Sequence, residues 1–386
     1  MNPGPSPEPT AELSTGPGVG RTAGPFAGPG RLPGPGDLEP IPGQLALPGM
    51  PAAGGAGEGS GSQPTLPGLE VPAADARAGD GRDADDDPDL AAVAAELRGL
   101  DQDGSRMAAA IRGALDMLLD GQHTGRYRWD QLHKTEKTHA GTLVEIALAR
   151  ALRLADGVTL DYTIAGADVD CKFSHRMGGW MIPPEADGKL MLLVQASDED
   201  GTWSAGLLRA AVGNLRPAGN RDGKRALSER GRAAVCWLHA RAPLQENALI
   251  RLPGRDVDAI FALPSGQQRV NELFRRAQRM RVSRTVVATV ARQDDYMKRV
   301  RGGGGARDQL RDEGIVIFGD YTGDQLLAAA LGLPRPGPGE FVSARLVPRA
   351  TSSGEPVYAR CIRLAGADWL LASAADPAAP APALPR

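Results

Sequence analysis

The chain has 386 residues and a formal net charge of −3, with 50 glycines, 32 prolines and three cysteines. Such a length suggests two or three domains. No run approaches the roughly 18 apolar residues of a membrane-spanning helix. The cysteines (Cys171, Cys236 and Cys361) are isolated, with no CxxC pair. That argues against a zinc site or a disulfide framework and suits a reducing cytoplasm.

Residues 1–90 hold 17 of the prolines and 19 of the glycines, almost no aromatics and no hydrophobic period. Such a stretch buries too little apolar surface to offset the entropy of ordering it, so residues 1–87 are expected to be disordered. They have no basic start followed by an apolar core, so they are not expected to be a signal peptide. Residues 1–90 carry 13 acids and 4 bases, a net −9, which leaves +6 for residues 91–386 (−3 + 9). A basic body suits an anionic partner, nucleic acid first.

Order is expected to begin near Pro88. From there to Gly121 the pattern predicts two amphipathic helices. "LLDG" (Leu118 to Gly121) is similar to the KxDG of DNA ligases, but Leu118 stands where the nucleophilic lysine belongs, so it is read as a helix end. A polar, basic segment follows. Then "GTLVEIALARALRL" predicts a helix with Glu145 in its first turn. "DYTIAGADVDCKFS" predicts a hairpin, and "LMLLVQA" a buried strand. The result is an α/β core over residues 88–241, a typical domain size.

Past residue 242, "ENALIRLPGRDVDAIFALPSG" suggests short strands and turns. "QQRVNELFRRAQRM" and "SRTVVATVARQ" predict helices, the second with Ser283 as N-cap. "IVIFGDY" predicts a strand. Helix, helix, short helix, strand resembles a winged helix-turn-helix, a DNA-reading module, over residues 242–375. Residues 376–386 are expected to be loose.

In a strand, residues two apart share a face. Asp168, Asp170 and Lys172 therefore lie together, and Val169 and Cys171 point towards the core. The turn "IAGA" brings Asp161 back alongside, and Glu145 comes from the preceding helix. Packed carboxylates raise one another's pKa unless a cation neutralises them. Oxygen ligands select a hard divalent ion, and Mg²⁺ commonly takes one or two carboxylates with water and phosphate. A lysine beside it is suited to hold a scissile phosphate. The competing view is a plain acid–lysine alternation on a solvated strand face. Asp161 and Glu145, placed in the order Glu, Asp, (Asp/Glu)-x-Lys, weigh against it.

This hairpin resembles the PD-(D/E)xK nuclease superfamily. "TEKTHAGTLVEIAL", "DYTIAGADVDCKFS", "GGWMIPPEA" and "DDYMKRVRGGGGARDQL" resemble the NaeI family of Type II restriction endonucleases, over about residues 112–371. The resemblance implies a Mg²⁺-dependent, sequence-specific double-strand DNA endonuclease that leaves 5′-phosphate ends. It matches Glu145 to the helix acid, expected to support metal or water, Asp161 and Asp170 to the metal pair, and Lys172 to the catalytic lysine. Leu160 stands where the superfamily pattern has proline, and Asp168 is an extra acid. The resemblance further implies a restriction-endonuclease-like core joined to the winged-helix domain, a homodimer, a second effector DNA site, a GC-rich palindromic target and a cognate DNA methyltransferase.

From Gln267 to Arg311 there are 12 Lys or Arg against 4 acids. Arg275, Arg276, Arg279, Arg281, Lys298, Arg299 and Arg301 are the DNA-binding candidates, since phosphate contacts give affinity and base contacts give sequence choice. Gly302 to Gly305 either let backbone amides approach a phosphate or form a flexible loop. The histidines (His123, His133, His139, His175, His239) show no metal-ligand spacing, and Trp180 is read as core. Two other functions fit the same residues: a mismatch- or structure-specific repair endonuclease, and a non-catalytic winged-helix regulator whose acidic hairpin is only structural.

Overall fold

The computed structural model describes Met1, residues 87–353 and residues 360–385. The expectation of disorder for residues 1–87 therefore falls, apart from its two ends, outside the described residues.

The first described helix, α1, runs Pro88–Leu100. Asp87 caps it, accepting from the Leu90 N–H, and Pro88 sits at the first position, where a missing N–H costs nothing. α2 (Ser105–Leu119) stops where Asp120 turns left-handed at φ 47°, so "LLDG" is a helix end, and α3 (Gly121–Thr124) follows. α4 spans Lys134–Leu152. It begins well before the expected start, so Glu145 lies in its third to fourth turn and not its first. Glu136 reaches back to the His133 N–H at 2.8 Å and caps the helix. Histidine is an uncommon N-cap, which hid this start.

β1 (Ala155–Asp156), β2 (Tyr162–Ile164) and β3 (Ala167–Ser174) follow, then β4 (Met181–Ile182), β5 (Leu190–Ser197) and β6 (Thr202–Arg209). β7 (Arg225–Ala226), α5 (Glu229–Ala233) and β8 (Cys236–Pro243) complete this part. One sheet has the order β1-β2-β3-β5-β6-β8; only β3 and β5 run parallel, and β4 pairs with β7 apart from it. Every residue of β5 is buried, because both faces of the sheet are covered. Leu192 and Val194 pack against α1, α2 and α4 with Leu97, Ile111 and Leu148. Met191 and Leu193 face the opposite side with Trp180, Ile182 and Leu208. Trp180 is core, and its Nε1–H donates to the Val194 carbonyl at 2.8 Å.

The segment expected as short strands is helical: α6 is Ala248–Arg251 and α7 is Gly254–Phe261. Asn247 caps the first, and Val257 and Ile260, three apart, bury one side of the second. α8 (Gly266–Arg276), β9 (Arg281–Ser283) and α9 (Arg284–Ala291) come next, with Ser283 capping α9 through the Val286 N–H. α10 (Ala306–Gln309), β10 (Ile315–Phe318), α11 (Thr322–Ala330), β11 (Glu340–Pro348), β12 (Cys361–Leu364) and β13 (Ala367–Leu371) finish the chain. A second sheet runs β10-β11-β13-β12, with β9 on the edge of β11. The last residues, expected to be loose, are pinned. Asp376 accepts from Ser353 and Ser373, and Ala381 exchanges bonds with Arg311.

The two sheets meet through α3 and α9. Gly121 lies so close to Thr289 that a Cβ there would sit 2.1 Å from its hydroxyl oxygen. Beside this contact Arg112 is buried in ion pairs with Asp116 (2.7 Å) and Asp198. Asp116 also bonds Thr285 of α9, and burial pushes its carboxyl up.

Candidate active site

The hairpin forms as its pattern demands. Tyr162, Thr163 and Ile164 pair with Val169, Asp168 and Ala167, and the turn is made by Ala165 (φ 50°) and Gly166 (φ 80°). Two positive φ values in a two-residue turn match the twist of the flanking strands. The alternation of β3 turns Val169 and Cys171 to the helix-covered core and Asp170 and Lys172 to the other side. Tyr162 fixes the approach of α4 by donating its hydroxyl to the Glu145 carbonyl at 2.8 Å.

Three oxygens surround the Lys172 ammonium. Asp170 Oδ2 lies at 2.5 Å, the Cys171 carbonyl at 3.0 Å and Asp161 Oδ2 at 3.9 Å. Asp161 is held there by accepting from the Cys171 N–H at 2.6 Å. Asp170 Oδ2 is shut off from solvent, and the Lys172 ammonium is its partner. Burial pushes the Asp170 carboxyl above the usual range, against the pull of Lys172. Glu145 is also raised, first by burial and then by the Asp161 charge. Cys171 is buried and its thiol is pushed up to about 12 by desolvation, so it packs and does not react.

Three carboxylates and one ammonium leave this cluster short of positive charge. Its donors are all oxygens, three carboxylates to one ammonium, so the set fits a hard cation. Among the described residues no three acidic, histidine or cysteine side chains converge as a ready cage. The donors are two carboxylates and a backbone carbonyl, in keeping with an ion that also takes water and phosphate oxygens. Glu185, in the turn after β4, was missed by sequence reasoning; its charge adds to the upward push on Asp170. Its motif "PPEA" gave no spacing that tied it to the hairpin. Asp168 is engaged elsewhere, with the loop of residues 157–160, and the Thr159 hydroxyl and loop amides hold its carboxyl low.

The seven basic candidates separate. Arg275 grips Glu313 with two bonds (2.7 and 2.8 Å) and also Glu272; Arg276 pairs with Glu272 (2.6 Å) and Asp256 (2.5 Å). Arg299 binds Gln293 and Asp295. Arg279, at φ 64°, donates to the Ala372 carbonyl. Arg281 is exposed and donates to the Arg335 carbonyl. Lys298 and Arg301 are exposed and make no ion pair among the described residues. Gly303 and Gly304 do form an anion-binding turn, but both amides donate to Asp308. Sequence reasoning missed Arg284, Arg307 and Arg311, which line a cavity of about 660 Å³ with Arg301, over a floor that includes Ile317 and Phe341.

Two aspartates and a lysine meet at the open end of a hairpin, on a mixed sheet with helices over one face, and comparison with known proteins supplies the class, a nuclease. The comparisons carry this further: residues 91–380 match the family model described as restriction endonuclease NaeI. The chain is 49% identical over 310 residues to the Type II restriction enzyme NaeI of Lentzea aerocolonigenes, covering 78% of this chain and 96% of the relative. The chain belongs to the NaeI restriction endonuclease family. It is a sequence-specific DNA endonuclease, a site-specific deoxyribonuclease.

Proposed function

We propose that Glu145, Asp161, Asp170 and Lys172 form the cleavage site and that Mg²⁺ is its cofactor. The observation that carries this reading is the ring of three oxygens about the Lys172 ammonium. Asp161 and Asp170, with the Cys171 carbonyl, would hold the ion; when bound it supplies positive charge to the scissile phosphate and to the attacking water.

The residues do the rest. A water oxygen attacks phosphorus in line, the bond to the 3′ oxygen breaks, that oxygen takes a proton from solvent, and the products are a 5′-phosphate and a 3′-hydroxyl. Glu145, with its raised carboxyl, is suited to accept the water's proton. Lys172 orients the water and faces the charge that grows on the phosphate oxygens. To do so its ammonium exchanges Asp170 for the phosphate.

Residues 88–241 are read as the endonuclease domain and residues 242–375 as a winged-helix DNA-binding domain. Supporting this is the order helix, strand, helix, short helix, strand from α8 to β10, with β10 and β11 as the antiparallel pair that follows. Lys298, Arg301 and Arg281 are its foremost phosphate contacts, because they are exposed and Lys298 and Arg301 make no ion pair with a carboxylate among the described residues. Arg275, Arg276 and Arg299 serve the fold first. A GC-rich palindrome read by a two-fold dimer, an effector DNA site, a partner methyltransferase and a cytoplasmic setting complete the proposal. No helix among the described residues is long and apolar enough to cross a membrane.

Cut ends mapped on defined DNA, with and without Mg²⁺, test the reading. Discrete ends that need Mg²⁺ and vanish in Lys172→Ala are expected. Cleavage by Lys172→Ala at the wild-type rate would remove it.

A further inference from the structure

Asp168 has a task that its place beside the acids does not suggest. Its Oδ1 accepts from the Val158 N–H at 2.9 Å, and its Oδ2 from the Thr159 N–H at 3.1 Å and the Thr159 hydroxyl at 2.5 Å. These donors belong to the loop between β1 and β2. Asp156 pairs with Tyr162, so the loop comprises residues 157–161 and ends on Asp161. The Gly157 N–H closes it onto the Asp161 carbonyl at 3.3 Å. A Cβ on Gly157 would lie 2.2 Å from the Leu160 carbonyl oxygen and 2.7 Å from Asp168 Oδ1. The loop is therefore wound tightly round the Asp168 carboxylate.

Beyond this loop, among the described residues, the Asp161 carboxylate has one hydrogen bond, from the Cys171 N–H, and the more distant Lys172 ammonium. Val158 and Thr159 are exposed, so without Asp168 their amides would turn to water and the loop would gain freedom. We propose that Asp168 is the positioning residue for Asp161: by gathering the loop of residues 157–160 it presets the Asp161 carboxylate beside Asp170 and Lys172. The inference rests on reading Asp161 as a cation ligand. Groups that orient a metal ligand typically change metal affinity or activity about 10- to 100-fold when replaced.

Asp168→Asn in the full chain is the test, because its amide group can accept on one side only. Calorimetric titration of Mn²⁺ into the protein–DNA complex should show affinity weakened at least about tenfold. The Mg²⁺ concentration for half-maximal cleavage should rise in parallel, and DNA affinity without metal should stay as in the wild type. Thr159→Val, which removes only the hydroxyl, should shift both in the same direction by less, and it stands in if Asp168→Asn does not fold. A lowered melting temperature with unchanged Mn²⁺ affinity and unchanged Mg²⁺ half-saturation would overturn the proposal, leaving Asp168 as a fold residue. Asp161→Asn separates the two levels. If it cleaves normally, the cleavage-site reading itself fails. If it is inactive while Asp168→Asn and Thr159→Val bind metal normally, only the positioning role is lost.

Discussion

Two stretches of this chain crowd charge, and they put it to opposite ends. At the hairpin, Asp161 and Asp170 with Glu145 of α4 share one lysine, and the Asp170 and Glu145 carboxyls are pushed up, first by desolvation. On α8, Arg275 and Arg276 meet Glu272, Glu313 and Asp256, and Glu313 is pulled down by the Arg275 guanidinium. The first cluster is left with surplus negative charge, three carboxylates to one ammonium. In the second, each guanidinium and each carboxylate has a partner of opposite charge within hydrogen-bonding reach. Charge density alone therefore does not mark a binding surface; the charge that remains after internal pairing does.

The largest effect should come from the under-neutralised cluster. Lys172→Ala is expected to lower single-turnover cleavage by at least about 10²- to 10³-fold while leaving DNA binding, measured without metal, nearly intact. Loss of binding in parallel would make Lys172 part of the DNA grip and blur the comparison. Arg112→Ala should come next, because it strands Asp116 and Asp198 in a buried setting. Removing one partner of such a set typically costs about 3–5 kcal/mol, read from denaturant unfolding.

Exposed and paired arginines should then divide. Arg301→Ala is expected to reduce the slope of log affinity against log salt by about 0.9, as for one phosphate contact. Arg275→Ala should leave that slope unchanged and cost up to about 1 kcal/mol of stability, as a partly exposed ion pair does. A salt slope that falls for Arg275 and not for Arg301 would reverse the assignment. The smallest effect concerns pH. Because Glu313 is depressed in the fold, its pair contributes stability that is present above the ordinary glutamate pKa and fades as pH falls through the folded value. Thermal melts of wild type and Glu313→Gln should therefore converge towards acid pH.

The hairpin was legible because strand alternation and a two-residue turn are local rules. "DVDCK" placed Asp170 with Lys172, and "IAGA" returned Asp161 to them. The fully buried β5 was legible as an unbroken apolar run. The start of α4 was not, since His133 is an unusual cap, and α6 and α7 were hidden in a short apolar segment broken by Pro253. The fate of Arg275 was out of reach for another reason: its partner Glu313 lies 38 residues away, joined to it only by the fold. Asp168 shows the same limit. Its spacing put it with the site acids, and its bonds put it with a loop ten residues earlier.

The close approach of Gly121 to Thr289 has a mechanical consequence. With no side chain to act as a spacer, the start of α3 and the helix α9 meet as a tight seam, and even one methyl group would work as a wedge. A shift of α9 would press directly on α3 and, through the Thr285–Asp116 bond, on α2, which packs behind β3 and β5.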